Sequence, residues 1–311
     1  MAAHFQLLVN PRAGGGAGRT TGRALRQQFS SADEPCELLE SGAPGELRTL
    51  AFAAAESGVR RLAIVGGDGS LNEVVWGLMQ ARAAGTEELP ALAVFPVGTG
   101  NDYVKMLDTI PGDPAGQASL LRDGLARPVT VGLLDGGRRG VFINNAAAGF
   151  TAEATRATEA IHRRRGRRGG GRLRYVAGGI NALLGHRGLE VTAEVDGSAI
   201  EGPFDVLHFG LGRYCGGGVD LTPWAGIDRP QLGYCLARAG ARLTFPFRWL
   251  RLERGGGPAM RNVETGDAAR VTITGEPFLI HADGELKSIG DGRLELSAEP
   301  VALSIIGASE L

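Results

Sequence analysis

Short apolar runs alternate with helical patterns along the first 130 residues of the chain. This alternation is typical of βαβ units built around a parallel sheet. The four predicted strands are Phe5–Val9, Cys36–Leu39, Leu62–Val65 and Leu92–Phe95. Between the second and third strands, an apolar stripe through Leu47 and Ala51 predicts a helix that has Pro44 in its first turn and ends at Gly58.

After Pro128 the pattern changes to short segments in which apolar and polar residues nearly alternate, separated by Gly, Pro and Asp. Alternation of this kind predicts strands, among them Leu189–Val195, Arg270–Thr274 and Arg293–Ala298. The second half is therefore predicted to be mostly β. Because the change near residues 128–132 lacks the composition of a linker, we expect the two halves to pack closely around a cleft, where small ligands usually bind.

Composition narrows the class of protein. Of the 311 residues, 43% are hydrophobic and 22% are charged, a balance that favours globular domains over disorder. The net charge of −1 argues against attraction of the whole molecule to nucleic acid, so any electrostatic contact must be local. The three cysteines lack metal-ligand spacing, which favours reduced thiols and a cytoplasmic protein. We expect no signal peptide and no membrane-spanning segment, because no long uncharged apolar run occurs.

The strongest chemical signal is a glycine-rich loop, Gly66-Gly67-Asp68-Gly69-Ser70, which follows the third predicted strand and precedes a helical pattern beginning near Leu71. At the carboxyl end of a strand, residues without a β-carbon let phosphate oxygens approach backbone N–H groups and a helix N-terminus. A carboxylate among phosphates needs a cation between them, so Asp68 is predicted to hold Mg²⁺ directly or through water. The alternative is a tight turn in which Asp68 caps the helix.

Two further polar loops follow other strands at the same predicted edge of the sheet. The fourth strand runs into Gly98-Thr99-Gly100-Asn101-Asp102, and the first strand ends in Asn10-Pro11 before Gly14-Gly15-Gly16. Because the carboxyl ends of parallel strands share one edge, the three loops are predicted to line one nucleotide pocket.

In their order and approximate spacing, these motifs resemble those of the diacylglycerol kinase catalytic-domain family, which includes sphingosine and ceramide kinases and soluble bacterial lipid kinases. The matching segments are VNPRAGGGAG at Val9–Gly18, VGGDGSLNEV at Val65–Val74, FPVGTGNDYVK at Phe95–Lys105, FINNAAAGF at Phe142–Phe150, RYCGGGVDLTPWA at Arg213–Ala225 and HADGE at His281–Glu285. The GGDG element is shared with the related NAD kinases and phosphofructokinases, but its combination with GTGND and a distal DGE is specific.

The resemblance implies an α/β plus all-β protein. Residues 1–130 would form a three-layer α/β nucleotide-binding domain of NAD kinase and phosphofructokinase type. Residues 131–296 would form a β-sandwich for the lipid substrate, and residues 297–311 would return to pack on the first domain.

The resemblance also implies the roles of individual residues, with ATP lying in the cleft. The residues implied to surround the nucleotide are Asn10, Ser41, Gly66, Gly67, Asp68, Gly69, Ser70, Gly98, Thr99, Asn101 and Asp102; Ser41 replaces the usual threonine. Asp283 would be the general base for the lipid hydroxyl, and Glu285 would orient Asp283 or contact metal. By sequence alone, Asp283-Gly284-Glu285 is also compatible with an ordinary turn beside a strand.

The chain departs from the family pattern at three places. Trp76-Gly77-Leu78 stands where relatives commonly have Asn-Gly-Leu, a change that would reshape a wall of the pocket. In a metal-binding segment of bacterial relatives only Asp228 persists, so a Mg²⁺ site there would rest on a single carboxylate. Gly132 stands near the place of an acid that often follows the domain junction.

Two basic segments are candidate contacts with an anionic membrane surface. The first, Arg156–Arg174, contains eight arginines and several glycines, and is predicted to be a loop that either attracts anionic headgroups or is simply solvated. The second, Arg242–Arg254, interleaves arginines with aromatic and aliphatic residues, and Pro246 argues against one continuous helix. Its aromatic residues are predicted either to form an interface or to pack in the core of the β half.

The preferred hypothesis is an ATP-dependent, Mg²⁺-dependent lipid kinase that acts on diacylglycerol, a sphingoid base or ceramide, and that is cytoplasmic and peripherally associated with the membrane. One rival is a catalytically silent lipid- or nucleotide-binding protein of the same fold, suggested by Trp76 and the altered metal segment. Another is a soluble-substrate kinase such as an NAD kinase, which GTGND disfavours. Nucleic acid is not expected as a partner, because the charge of one loop does not make a site. A homodimer is left open.

Overall fold

The computed structural model describes residues 5–31, 35–98, 100–107, 110–165, 186–216 and 218–307. The chain divides into two compact units. The first comprises Met1–Val129 together with Val301–Leu311, and the second comprises Thr130–Pro300.

The first unit is an α/β structure around a parallel sheet. Its strands and helices are β1 (Phe5–Val9), α1 (Ala17–Ser31), β2 (Cys36–Glu40), α2 (Glu46–Glu56), β3 (Arg61–Gly66), α3 (Asp68–Ala83), β4 (Ala91–Pro96) and α4 (Pro114–Asp123). Strand β1 pairs in parallel with β2 and β3, and β3 pairs in parallel with β4. The end of the C-terminal strand, Arg293–Gly307, lies parallel to β4 through Ile305 opposite Leu92. The four predicted strands are therefore present, each within a residue or so of its predicted ends.

The sheet of the first unit is covered on both faces, which gives three layers. Leu7 and Val65 point to a core shared with α1 and α4, where Phe29 and Leu121 are fully buried. Alternate residues such as Leu8 are equally buried and point to the opposite face, which α2 and α3 contact. A strand buried on both faces reads as a continuous apolar run, and this is why these strands were recognisable in the sequence.

The helix predicted between β2 and β3 is present but begins later than expected. Gly45 takes a left-handed φ of 84° directly before Glu46, the first helical residue, so Pro44 lies outside the helix. The Glu46 carboxylate accepts hydrogen bonds from the N–H groups of Gly42 and Ala43 at 2.6 and 3.1 Å, which stabilises this late start. Gly58, with φ of 75°, follows the end of the helix as predicted.

Trp76-Gly77 lies where α3 packs against α2. A β-carbon on Gly77 would come within 2.2 Å of the carbonyl oxygen of Arg48, so the two helices touch through this glycine. The guanidinium of Arg48 lies 4.7 Å from the centre of the Trp76 ring, a cation–π contact. The residue that departs from the family pattern thus takes part in the contact between these helices.

The second unit is built mainly from antiparallel strands. Its elements are β5 (Leu125–Asp135), β6 (Arg139–Phe142), β7 (Asn145–Gly149), α5 (Phe150–Arg165), β8 (Leu189–Val195), β9 (Ser198–Gly210), β10 (Tyr214–Cys215), β11 (Val219–Asp220), β12 (Leu232–Arg238), α6 (Phe245–Leu252), β13 (Val263–Ala268), β14 (Arg270–Gly275), β15 (Phe278–Ala282), β16 (Glu285–Ile289) and β17 (Arg293–Gly307). Strands β5 and β17 each continue from one unit into the other. Within the second unit the order is β16-β15-β7-β9-β8-β14-β17, and β12 pairs with both β9 and β13. The predicted mostly β half is confirmed.

The first part of the predicted arginine-rich loop is helical. Helix α5 runs from Phe150 to Arg165 and includes Arg156, so the prediction of a loop is wrong for this part. Its sequence contains no glycine or proline before Gly166, and Ala, Glu and Arg are good helix formers. The remainder of the segment, residues 166–174, lies outside the described residues.

The second basic segment forms a short turn and a helix. Residues Arg242–Thr244 make a 3-10 turn, and α6 follows with Pro246 in its first turn, where a missing N–H breaks no helical hydrogen bond. Phe245 and Leu252 are buried, whereas Phe247 is 75% exposed. The segment therefore supplies both core residues and surface residues. No helix in the described part of the chain is long and apolar enough to cross a membrane.

Candidate functional site

Hydrogen bonds connect the carboxyl ends of β1, β2 and β3 in the first unit. The backbone N–H of Asn10 donates to the carbonyl of Val65 at 3.0 Å, and its Nδ2 donates to Ser70 Oγ at 2.8 Å. The N–H of Ser41 donates to the carbonyl of Val9 at 2.9 Å. Asn10, Ser41 and Ser70 thus lie along one edge of the parallel sheet.

The two glycine loops after β3 and β4 touch each other. A β-carbon on Gly98 would lie 2.8 Å from the Cα of Gly67 and 2.7 Å from Asn101 Oδ1, so only glycine fits there without a shift. Gly66 is equally constrained, since a β-carbon there would lie 2.5 Å from the Cβ of Ser70. By contrast, no atom of the residues that the structure describes lies within 4 Å of the β-carbon position of Gly69. Thr99 lies outside the described residues.

The glycine-rich segment after β1 approaches the same loops. A β-carbon on Gly14 would lie 2.3 Å from the carbonyl oxygen of Val97, and one on Gly18 would lie 2.1 Å from that of Asn10. The structure therefore brings together the three loops that the sequence placed at one edge.

Asp68 lies in the first turn of α3, which begins three residues earlier than predicted, with Gly67 as its N-cap. The Asp68 carboxylate does not cap its own helix. It accepts hydrogen bonds from the N–H groups of Asp102 and Tyr103, both at 3.3 Å, and so joins the first glycine loop to the second. Burial raises the pKa of the Asp68 carboxyl, and the charge of Asp102 raises it further, while hydrogen bonds from backbone N–H groups oppose the rise.

The second loop holds two more polar side chains in fixed positions. Asn101 has a left-handed φ of 49°, and its Nδ2 donates to the carbonyl of Gly98 at 2.9 Å. Within the described residues, its Oδ1 is buried and accepts no hydrogen bond. Asp102 is buried and forms an ion pair with Lys105. An amide oxygen and carboxylate groups, which can accept hydrogen bonds or bind a cation, therefore lie close together beside the N-terminus of α3.

Asp283 lies in the second unit, in the turn between β15 and β16. Asp283 and Gly284 form a two-residue hairpin loop with φ values of 48° and 84°, as a type I′ turn requires. The carboxylate accepts three backbone hydrogen bonds from the residues before and at the start of β7: from Ile143 at 2.8 Å, Asn144 at 3.0 Å and Asn145 at 2.9 Å. These bonds fix the orientation of the carboxylate.

The same arrangement occurs a second time in this unit. Asp196 and Gly197 form the turn between β8 and β9, with φ values of 45° and 87°, and the Asp196 carboxylate accepts N–H groups of Ala269 and Arg270 at 3.2 and 2.9 Å. In both turns the aspartate also donates its own N–H to the strand that binds its carboxylate. The turn seen at Asp283 is therefore a structural device of this unit, although Asp283 is half-buried and Asp196 is exposed.

Polar groups with incomplete hydrogen bonding surround the strand that leads to Asp283. His281 on β15 and His208 on β9 both lie opposite Ala147 of β7. Burial lowers the pKa of His208 to about 3, with a further contribution from His281, and burial lowers the pKa of His281 to about 4. Both rings are therefore neutral near pH 7, which excludes them as cations beside Asp283.

The other predicted residues of the second unit are more exposed. Glu285 begins β16 and faces solvent, and Asp228 lies exposed in a turn. In the part of the chain that the structure describes, no three His, Cys, Asp or Glu side chains cluster so that they could hold a metal ion by themselves.

Sequence reasoning did not predict the backbone groups that hold the two aspartates, although it placed Asp102 beside the nucleotide. The N–H groups of residues 143–145 bind Asp283, and the N–H groups of Asp102 and Tyr103 bind Asp68. The only signal was that both sets lie within matched motifs, FINNAAAGF and FPVGTGNDYVK. Backbone donors carry no residue signature, so the sequence could not single them out.

Comparisons with known proteins match two successive parts of the chain to two families. Residues 4–134 match the family described as diacylglycerol kinase catalytic domain, and residues 144–307 match the YegS C-terminal NAD kinase beta sandwich-like domain. A protein of Chromohalobacter salexigens named "Probable lipid kinase YegS-like" is 33% identical over 195 residues, covering 61% of this chain and 57% of that protein. A "Diacylglycerol kinase" of Bacillus subtilis is 32% identical over 179 residues, covering 57% and 55%. The chain thus spans somewhat more than half the length of the curated relatives it matches.

The fold is also found in solved structures. A crystal structure described as a diacylglycerol kinase from Bacillus anthracis matches with a TM-score of 0.71 and 20% identity, covering 97% of this chain and 96% of that one. The predicted fold, an α/β domain followed by a β-sandwich-like domain, is confirmed. Because the second family match alone covers more than half of the chain, the chain belongs to the family with the YegS C-terminal NAD kinase beta sandwich-like domain, which here follows a match to the diacylglycerol kinase catalytic domain.

Proposed function

We propose that this protein transfers the γ-phosphoryl group of ATP to the hydroxyl of a membrane lipid, with diacylglycerol, a sphingoid base or ceramide as the candidate acceptors. The observation that carries the proposal is the contact between the two glycine loops, with the Asp68 carboxylate bound to backbone N–H groups of the second loop. Family membership gives the acceptor class, since relatives are named lipid kinases and diacylglycerol kinase.

The loops offer the groups that a triphosphate requires. Gly67 and Gly69 lie at the N-terminus of α3, where backbone N–H groups without helical partners face outward and the helix dipole favours an anion. The open space at the β-carbon position of Gly69 lets a phosphate oxygen approach the backbone. Asn10, Ser41, Ser70 and the loop from Gly98 to Asp102 are proposed to line the remainder of the nucleotide site.

Mg²⁺ fits the side chains of this site. Burial and, to a lesser extent, the charge of Asp102 raise the pKa of Asp68, and a divalent cation beside the Asp68 carboxylate would favour its ionised form. Asn101 adds a buried oxygen with no hydrogen bond in the described structure. Asp68 is proposed as the main protein ligand, together with phosphate oxygens of ATP, and the bound ion supplies charge neutralisation for those phosphates. Asp228 is kept as a candidate ligand of a separate site, resting on the family resemblance alone.

Asp283 is proposed to accept the proton of the lipid hydroxyl, with Glu285 orienting Asp283 or contacting metal. Phosphoryl transfer passes through a loose transition state, so the base has to align the hydroxyl more than it has to pull on its proton. Three backbone N–H donors hold the Asp283 carboxylate in one orientation, which suits this positioning role.

Because the acceptor is a membrane lipid, we propose that the protein works at the cytoplasmic side of a membrane as a peripheral protein in phospholipid metabolism. A homodimer is compatible with this function and is not required by it.

A transfer assay with radiolabelled ATP and mixed micelles of the three lipid classes tests the proposal. Asp283→Asn is expected to abolish product formation. Because the new amide would face the N–H of Ile143, this variant should also lose stability, by about 1–3 kcal/mol for one unsatisfied buried donor. Asp196→Asn is the matched control, since it disturbs the same turn elsewhere in the unit and should keep full activity. Equal activity of both variants would refute the assignment of the base.

The same assay separates the rival functions. A silent binding protein would bind ATP and transfer no label to any lipid, and an NAD kinase would label NAD instead. Gly69→Ala tests the nucleotide site, because its β-carbon would meet no atom of the described residues. We expect this variant to keep its melting temperature and to bind ATP at least tenfold more weakly, since a methyl group would occupy the space of a phosphate oxygen. Unchanged affinity for ATP would show that no phosphate group binds at this loop.

A further inference from the structure

The segment Arg242–Arg254 carries an unusual concentration of exposed apolar side chains. In the described part of the chain five large apolar residues are exposed, and three of them, Leu243, Phe247 and Leu250, belong to this segment. They are 90%, 75% and 45% exposed, respectively. An aromatic residue and two leucines on one turn and the short helix that follows it make a patch rather than scattered surface residues. We name these three residues the apolar tip.

Helical geometry places Phe247 and Leu250, the two members of the apolar tip that lie on α6, on one side of that helix. With 3.6 residues per turn, residues three apart share a face. Leu243 lies in the 3-10 turn that precedes the helix. Phe245 and Leu252 lie on the opposite face and are buried. Both faces of α6 therefore carry apolar side chains, and among the residues that the structure describes only the inner face has packing partners.

The inner face is held firmly, so the outward direction of the apolar tip is fixed. Phe150 of α5 packs edge-to-face on both Phe245 and Trp249, with ring centres 4.9 and 4.7 Å apart. Arg248, also on the inner face, forms an ion pair with Asp205 of β9, and both side chains are largely buried. These contacts prevent α6 from rotating to cover Phe247 and Leu250 with protein.

Basic residues surround the apolar tip. Arg242, Arg251 and Arg254 are exposed at the two ends of the segment, and Glu253 is the single acidic residue among them. Exposed apolar residues with arginines around them match the chemistry of an anionic lipid surface. The acyl chains would contact the apolar tip, and the anionic headgroups would bind the guanidinium groups.

We propose that α6 with its preceding turn is the element that docks this protein on anionic membranes, with Leu243, Phe247 and Leu250 inserted below the headgroups and Arg242, Arg251 and Arg254 on the phosphates. The choice of a lipid surface over a protein partner rests on the proposed function, in which the acceptor must be reached in a bilayer. The arginines around the tip favour an anionic lipid surface further.

Flotation with vesicles of phosphatidylcholine, with and without phosphatidylglycerol, tests the docking surface. The full chain should bind the anionic vesicles and bind neutral vesicles weakly. The triple variant L243S/F247S/L250S should bind anionic vesicles at least about tenfold more weakly, because three apolar side chains no longer leave water. Arg251→Gln and Arg254→Gln should each weaken binding by about fivefold and reduce its salt dependence. Leu125→Ser is the matched control, since Leu125 is 53% exposed elsewhere in the chain, and it should bind normally.

Insertion has its own signature. In Phe247→Trp, lipids brominated on the acyl chains should quench the added fluorescence, whereas a protein that only touches headgroups would show no additional quenching. The proposal is overturned if the triple variant binds vesicles as the full chain does, if no added quenching occurs, or if the triple substitution instead converts a dimer to a monomer in sedimentation.

Activity measurements keep this proposal apart from the proposed function. With a short-chain acceptor dissolved in water, the triple variant should have an unchanged kcat/KM, and with vesicle substrate its rate should fall in parallel with binding. If the full chain phosphorylates no lipid in either format, the proposed function fails, and the flotation and quenching results still decide whether α6 docks on membranes.

Discussion

His186 should make the stability of the second unit depend on pH. Its Nδ1 lies 3.0 Å from Glu153 Oε2 of α5, and its Nε2 lies 3.1 Å from Asp205 Oδ1 of β9. Arg248 of α6 binds the other oxygen of Asp205. Because both ring nitrogens face carboxylate oxygens, both must donate a hydrogen bond, and only the protonated imidazolium can do so. The cation therefore links α5, β9 and α6.

The magnitude follows from the shift in pKa. Burial lowers the pKa of His186, but hydrogen bonds and charge from Asp205 and Glu153 outweigh burial and raise it from 6.5 to about 9. At 1.36 kcal/mol for each unit, the rise corresponds to about 3 kcal/mol of stability. For a group whose pKa is raised by folding, this contribution is fully present below pH 6.5 and is lost as the pH rises through 9. The free energy of unfolding of the second unit should therefore be lower at pH 9.5 than at pH 6.

Urea unfolding followed by the fluorescence of Trp249, which packs in this cluster, measures the effect locally. Trp76→Phe and Trp224→Phe are introduced both in the otherwise unsubstituted protein and in the His186 variant, so that Trp249 is the only tryptophan. His186→Gln should lower the free energy of unfolding at pH 6 by about 3 kcal/mol and remove most of the change between pH 6 and 9.5. Glu153→Gln should give a smaller change in the same direction. The reasoning is refuted if His186→Gln keeps the pH dependence of the unsubstituted protein.

Two further predictions concern the first unit. Gly98→Ala should lower the melting temperature, because its β-carbon would lie 2.8 Å from the backbone of Gly67, and overpacking of this kind typically costs about 1–3 kcal/mol; an unchanged melting temperature would show that the loops can separate at little cost. Because the pKa of Asp68 is raised, its contribution to the stability of the nucleotide-free protein should be largest at acid pH and fall as the pH rises and the carboxylate ionises; Asp68→Asn should remove this part of the pH dependence and reduce Mg²⁺-dependent transfer at least about 100-fold. An unchanged pH dependence of the melting temperature in that variant would contradict the sign of the shift.

The first unit was largely predictable because its strands are buried on both faces. Apolar runs such as Leu62–Val65 then stand out from the helical patterns between them, and every predicted strand was found. The predicted start of α3 was three residues too late, because glycine has a low helix propensity and Gly67 and Gly69 flank the true first residue, Asp68. The early start matters, since it brings Asp68 into the first turn and places the N–H groups of the glycine loop at the helix end.

The second unit resisted prediction where long-range contacts decide the structure. Nothing local to Arg248 shows that it will be buried against Asp205, 43 residues away. The sequence therefore left open whether the segment packs in the core or forms an interface. In the structure one face of α6 is buried and the other is exposed. The buried position of His186 depends in the same way on partners in α5 and β9. Ion pairs between distant segments leave no periodic pattern in the sequence, because each member looks like an ordinary charged residue.

A structural role in a hairpin turn and the proposed chemical role as a base are compatible for Asp283. Asp196 has the same turn and the same reciprocal bond to a neighbouring strand, so the hairpin explains why an aspartate followed by glycine stands at position 283. The hairpin does not explain the third N–H donor, the partial burial or the neighbouring Asn144 and Asn145, whose Oδ1 atoms are buried without hydrogen bonds in the described structure. A turn needs none of these features, whereas a site that orients a hydroxyl needs a fixed carboxylate with polar groups beside it. The difference between the two aspartates, rather than the motif that they share, is what favours Asp283 as the base.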